Sequence, residues 1–262
     1  MLRALGEPAA QPWPRPVVLP EPPELEPDQA PGPPDFVGVG VQKAGTSWWF
    51  DLIAAHPGVA QPFRKELHFF DGYSGRAFGS TAVDLYHRFF PRRPGEIAGE
   101  WTPRYMHDVW SVPLLAAAAP DARLLVILRD PVERYRSGLA HDLARHAPDN
   151  PLVASVHVER GDYATQLRWV FGHVPPEQVL VLQYERCLAD TAPQLARTYA
   201  FLGLDETFVP GDLDRRLNVT TTAKPPLPPH LRDALVERYR CDLPALGELV
   251  ADLDVMLWTS LR

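Results

Sequence analysis

The stretch that most constrains this chain is FVGVGVQKAGTSWWFDLIAAHPGV, Phe36 to Val59. An apolar, β-rich run enters a glycine turn that carries one lysine and two hydroxyl residues, and a helical pattern follows. Strand, turn and helix in that order make an anion site, because free N–H groups and the helix dipole both favour negative charge at a helix start. Gly40 and Gly45 permit close backbone approach. The amides of Ala44 to Ser47 are expected to point outward, Thr46 and Ser47 add hydroxyl donors, and Lys43 adds a mobile charge. A glycine turn with a snorkelling lysine and Thr46 as helix cap is the competing reading. The order also departs from the commonest phosphate loop, G-x-x-x-x-G-K-[ST], since Lys43 precedes Gly45 rather than following it.

Beyond Asp35 the chain alternates between strand and helix patterns. Strands are expected at 36–41, 96–100, 123–129 and 179–184, the last two as continuous apolar runs that mark a parallel sheet covered on both faces. Helices are expected at 46–55, 81–90, 109–119, 132–145, 163–172 and 192–202, with two more, 229–240 and 243–253, closing the chain. This predicts an α/β three-layer sandwich with a mostly parallel central sheet. In such a sheet ligands bind beyond the carboxyl ends of the strands, which selects residues 42–47, 101–105, 129–136 and 185–187. Residues 1–34 are expected to be a proline-rich, disordered leader, and 35–262 the folded domain. The chain has thirty prolines, and they cluster there.

A net charge of −7 argues against a nucleic-acid partner. No uninterrupted apolar run is long enough to span a bilayer, and the N-terminus lacks the apolar core of a signal peptide. Cys187 and Cys241 match no metal spacing and are expected as two reduced, buried thiols of a cytoplasmic protein.

The second informative stretch is LLVILRDPVERYRSG. Arg129 ends the strand, Pro131 suits the first helical turn, and Ser137 lies about two turns on, so both side chains can grip one phosphate. A helix capped by Asp130, with Arg129, Glu133 and Arg136 in surface ion pairs, is the alternative.

Together these stretches resemble one family. QKAGTSW is similar to the 5′-phosphosulfate loop of sulfotransferases that use 3′-phosphoadenosine 5′-phosphosulfate (PAPS), and LRDPVERYRSG to their 3′-phosphate motif. RKELHFFD, Arg64 to Asp71, resembles the branch that includes heparan sulfate sulfotransferases and many bacterial relatives. The resemblance implies a P-loop-like phosphosulfate loop, PAPS as sulfuryl donor, adenosine 3′,5′-bisphosphate (PAP) as product, no metal, and a small-molecule or glycoside hydroxyl as acceptor. By this resemblance Lys43 acts at the bridging oxygen as the sulfuryl group leaves, the backbone of Ala44, Gly45 and Ser47 with Thr46 holds the 5′-phosphate, and Arg129 and Ser137 take the 3′-phosphate. Trp48 matches an adenine-stacking tryptophan, and reads equally as a core residue.

The base implied by the K-E-x-H-F-F-D pattern is Glu66, with His68 in reserve and His141 a third candidate; a plain Lys65–Glu66 surface pair is the bland reading. In GEWTPRYM the family segment reads E-K-T-P, so Trp101 stands where a lysine is expected. Arg104 or Lys65 would then supply the charge, or the acceptor would stack on Trp101. The aromatic residues Trp101, Tyr105, Phe69 and Phe70 suggest a partly apolar acceptor. In NVTTTAKPPLPPHLRDAL, similar to a loop that closes over the nucleotide, Lys224 is the donor contact and Asn218 a weaker one. Glu185 reads as a structural buried acid. Two other functions compete: a P-loop-type small-molecule kinase, which the lysine position disfavours, and a catalytically inactive nucleotide-binding protein, which only Trp101 supports.

Overall fold

The computed structural model describes residues 19–143, 151–213 and 224–262. Four strands form one all-parallel sheet: β1 (Phe36–Gly40), β2 (Gly99–Trp101), β3 (Arg123–Leu128) and β4 (Val179–Gln183), in the order β2-β1-β3-β4. Every residue of β1 is buried, and so is every residue of β3 but Arg123, as a parallel sheet covered by helices requires. Register is set by Phe36 opposite both Gly99 and Arg123, and by Leu124 opposite Val179.

The chain leaves β1 toward β2 on one side and leaves β3 toward β4 on the other. The carboxyl ends of β1 and β3 therefore flank the point where the winding reverses, which is where open α/β sheets place their ligands. Both motif-bearing turns, at Lys43 and at Arg129, emerge there.

Around the sheet lie α1 (Thr46–Ala54), α2 (Ser80–His87), α3 (Ser111–Ala118), α4 (Pro131–Leu143), α5 (Pro151–Glu159), α6 (Tyr163–Phe171), α7 (Tyr184–Ala189), α8 (Thr191–Leu202) and α9 (Pro229–Leu249). The six interior helices expected from periodicity fall within three residues of their expected spans. Four elements differ. The strand expected at 96–100 is shifted to Gly99–Trp101, and α5 and α7 have no counterpart among the expected helices. The two closing helices are one, α9, with Pro244 inside it. Proline removes one helical hydrogen bond, but Leu235, Tyr239 and Leu246 are buried on both sides of it, and that packing keeps the helix continuous.

Part of the segment expected as leader is packed against the domain. Ala30 and Arg92 exchange backbone hydrogen bonds at 3.0 and 3.1 Å, and Arg93 pairs with Glu26 and Asp28. Packed structure therefore begins before Asp35, because Arg93 gathers the leader's Glu26 and Asp28 while the Arg92 backbone pairs with Ala30. Of the thiols, Cys187 is buried as expected but Cys241 is exposed. Among the described residues, no helix is long and apolar enough to cross a membrane.

Candidate active site

The turn after β1 is shaped by two left-handed residues, Lys43 (φ 70°) and Gly45 (φ 79°). A side chain at Gly45 would meet the Tyr184 ring at 2.5 Å, so that position needs glycine for both reasons. Gly45, not Thr46, is the N-cap of α1; no side chain caps the helix, and its first turn holds no acid. The cap reading of Thr46 is thereby removed. One expected amide is not available: Ala44 N–H closes the turn on the Val41 carbonyl at 3.3 Å.

Arg129, at the end of β3, donates from Nη1 to the Lys43 carbonyl at 2.8 Å and lies over the Tyr184 ring, 4.7 Å from its centroid. Its own carbonyl accepts from Tyr163 Oη at 2.8 Å. Ser137 follows on α4 and is 4% exposed. The capping expected of Asp130 is present, its Oδ1 accepting from Val132 and Glu133 N–H. Glu133 collects two cations: Lys224 Nζ at 2.6 Å and Arg136 Nη1 at 2.6 Å. Burial pulls the Glu133 carboxyl up, but those two partners outweigh it and hold it below its ordinary value. Lys224 is thus carried to the helix bearing Ser137, while Asn218 lies outside the described residues.

Lys43 reaches His141, with Nζ 3.2 Å from Nδ1, which brings two site candidates together. Arg160, which sequence reading missed, donates to the Gln42 side chain beside them. Burial first, then Arg134 and Arg104, press its guanidinium down to about 10, and its Nε is buried with no partner among the described residues.

The 64–71 segment runs alongside β2. The Lys65 carbonyl accepts from Trp101 N–H at 2.7 Å, Leu67 N–H reaches Glu100, His68 N–H reaches Thr102, and Phe69 N–H reaches the Tyr105 hydroxyl. Glu100 organises this side. It is fully buried and accepts from Leu67, Thr102, Tyr86 and Tyr105, and burial pushes its carboxyl up to about 7.

On this frame Glu66, His68 and Asp71 form a chain. His68 Nε2 is 3.2 Å from Glu66, and His68 Nδ1 is 3.0 Å from Asp71. Lys65 Nζ meets Glu66 Oε1 at 2.8 Å and Thr46 Oγ1 at 3.2 Å, tying this chain to the start of α1. Arg104 stands behind, 3.7 Å from Asp71 and 2.6 Å from Asp108. Burial raises Glu66, but His68 and Lys65 overcome it and bring the carboxyl to about 2. Asp71 and then Glu66 raise His68 to about 9. At neutral pH these partners favour a carboxylate beside an imidazolium.

The aromatic residues expected at the acceptor are elsewhere. Trp101 and Tyr105 have no exposed surface, nor do Phe69 and Phe70. Trp101 packs where a side chain on Gly38 would lie, 1.9 Å from its ring, and donates to the Gly40 carbonyl at 3.2 Å. Phe69, Phe70, Tyr86 and Tyr105 pack tilted or edge-on against one another at centroid distances of 4.8–5.4 Å. This is core behind the site, and hydrophobic burial explains it better than acceptor binding. Trp48 is 4% exposed, donates to the Leu213 carbonyl and meets Tyr184 edge-on, so its ring presents no open face. Glu185 holds Asp130 N–H and Trp258 Nε1 at 2.8 and 3.0 Å, a structural placement.

The sheet brings the turn at Lys43 and the strand end at Arg129 together at its reversal point, and the chain is similar to sulfotransferases in sequence and in fold. Residues 82–208 match the model described as "Sulfotransferase family", a span that holds Arg129 and Ser137 but not Lys43 or Glu66. The human heparan sulfate glucosamine 3-O-sulfotransferase 3B1 is 30% identical over 187 residues, 65% of this chain and 46% of that protein. The chain thus spans about half the length of such relatives. In fold it is similar to a sulfotransferase from Alicyclobacillus acidocaldarius (TM-score 0.68, 24% identity, 86% of this chain and 98% of that one). It is also similar to the sulfotransferase domain of the Synechococcus PCC 7002 olefin synthase (TM-score 0.50, 17% identity, 91% and 100%).

Proposed function

We propose that the protein transfers the sulfuryl group of PAPS to a hydroxyl of a small-molecule or glycoside acceptor. The observation that carries this reading is the span of Lys65, which joins the uncapped start of α1 to Glu66 through contacts of 3.2 and 2.8 Å. A donor-binding turn and a proton acceptor are thereby held side by side, as in-line transfer demands.

Glu66 takes the acceptor's proton while the acceptor oxygen bonds to sulfur, and the sulfur–oxygen bond to the 5′-phosphate breaks with its electrons leaving on the phosphate oxygen. Lys43 and the α1 N–H groups face the charge that develops there. Arg129, Ser137 and Lys224 take the 3′-phosphate. His68, held protonated by Asp71, orients Glu66 rather than accepting the proton. The kinase alternative needs its lysine after the second glycine, and the left-handed Lys43 precedes Gly45.

The test uses radiolabelled PAPS with a panel of hydroxyl acceptors in the presence of a chelator. Label should move to an acceptor with the wild-type protein, and Glu66→Gln should lower turnover on the order of 10²–10⁴-fold. Full activity in Glu66→Gln, or transfer only from a nucleoside triphosphate, overturns the reading.

A further inference from the structure

Lys65 occupies a position that neither its neighbours in sequence nor the comparisons explain. Its backbone is fixed by the hydrogen bond from Trp101, and its side chain is 17% exposed. Two of the three donors of its ammonium are directed at groups of opposite purpose: Thr46 Oγ1 on the turn that would hold an anion, and Glu66 Oε1 on the proton acceptor.

The other charges around Glu66 are differently anchored. His68 sits at 3.2 Å, in a left-handed conformation and bonded to Asp71; Arg104 lies one layer further out, on Asp71 and Asp108. Those groups hold each other whether or not a ligand is present. Among the described residues, Lys65 alone of the cations touching Glu66 also touches the first residue of α1. An anion arriving at that helix start competes with Glu66 for the same ammonium, and a doubly charged phosphosulfate or 5′-phosphate group is the stronger competitor.

We propose that Lys65 is a positioning residue that couples occupancy of the α1 turn to the freedom of Glu66. Its ammonium holds the carboxylate while the turn is empty and turns to the phosphate oxygens when the donor is seated. This rests on the reading above, in which the turn binds the donor and Glu66 is the base. The carboxylate becomes a better proton acceptor once the turn is occupied.

Linkage gives a direct test, because coupling between two sites is reciprocal. If Glu66 and the ligand share one ammonium, neutralising Glu66 must favour the ligand. PAP is titrated calorimetrically into wild type, Glu66→Gln, Lys65→Met and the double variant, each checked for an unchanged thermal melt. Glu66→Gln is expected to bind PAP roughly 3- to 10-fold more tightly than wild type, and this gain is expected to vanish in the Lys65→Met background. Simple charge repulsion between Glu66 and phosphate would leave the gain intact without Lys65, which overturns the proposal. Unchanged or weaker binding in Glu66→Gln overturns it too. Should Lys65→Met fail to fold, Lys65→Gln takes its place in the cycle. Failure of wild type to bind PAP at all removes the donor reading along with the inference, whereas PAP binding with an additive cycle removes the inference alone.

Discussion

The guanidinium of Arg129 donates to the main-chain carbonyl of Lys43 at 2.8 Å, so the ends of β3 and β1 are locked together through backbone rather than through the lysine's side chain. Removing either side chain should therefore have separable effects. Lys43→Ala leaves that contact in place; it should keep PAP affinity within about threefold while turnover falls on the order of 10²-fold, since its charge matters most as the leaving oxygen develops. Arg129→Ala loses a charge-assisted contact worth roughly 1.5–3 kcal/mol, and PAP affinity should fall at least tenfold. Calorimetry and initial rates on the two variants decide it. A loss of binding without loss of kcat in Lys43→Ala would make the lysine a binding group only.

Gly45 should be the least replaceable glycine of the turn. Alanine there must adopt φ 79° and push against the Tyr184 ring at 2.5 Å, at a cost of roughly 2–4 kcal/mol. Gly75 is a matched control: its φ is 67°, and nothing lies within 4 Å of an added side chain. Gly75→Ala should cost only about 1–2 kcal/mol in urea unfolding. Equal losses would mean that the Tyr184 contact plays no part.

The Glu66–His68 pair makes a pH prediction that separates the two candidate bases. Glu66 is ionised from about pH 2 upward, and His68 remains protonated to about pH 9. With Glu66 as base, kcat/KM should be flat from pH 5 to 8. With His68 as base, activity would climb across that range toward a limb near 9, and His68→Ala would abolish it.

Glu100 should leave its mark on stability. Its folded carboxyl titrates near 7, above the unfolded value of about 4.5, so the native state binds more protons between those limits. Stability should therefore fall as pH rises from about 4.5 through 7 and then level off, as far as this group contributes. His68 contributes a loss at higher pH, as the solution passes through its folded value near 9. The difference between wild type and Glu100→Gln isolates the first slope. Parallel curves for the two proteins would show that Glu100 keeps an ordinary titration.

Much of this arrangement was legible in the sequence, and the reasons for the gaps are physical. Phe36–Gly40 and Arg123–Leu128 announce themselves because strands buried on both faces must be apolar throughout, and Thr46 marks a helix start because the glycine turn precedes it. Lys43 and Arg129 follow from position relative to those elements, whereas Glu66 comes only from the resemblance carried by RKELHFFD. Glu100 was not legible as an organiser, since its four donors come from Leu67, Tyr86, Thr102 and Tyr105, and only folding assembles them. Trp101 misled for a related reason. Its burial depends on Gly38 in the neighbouring strand, and register is not visible in local pattern. Arg160 was missed because α5 carries no clear periodicity, so nothing in the local pattern directs that arginine to Gln42.

The most direct measurement of the central claim is a calorimetric titration of the wild-type protein with PAP, adenosine 5′-phosphate and ATP, each with excess chelator. A site with Lys43 at the α1 start, and Arg129, Ser137 and Lys224 beyond it, should bind PAP at least tenfold more tightly than adenosine 5′-phosphate, since each charge-assisted contact to the 3′-phosphate contributes roughly 1.5–3 kcal/mol. ATP should bind more weakly than PAP, and the chelator should not change the order. Equal affinity for PAP and adenosine 5′-phosphate, or tight ATP binding that depends on added magnesium, would contradict it.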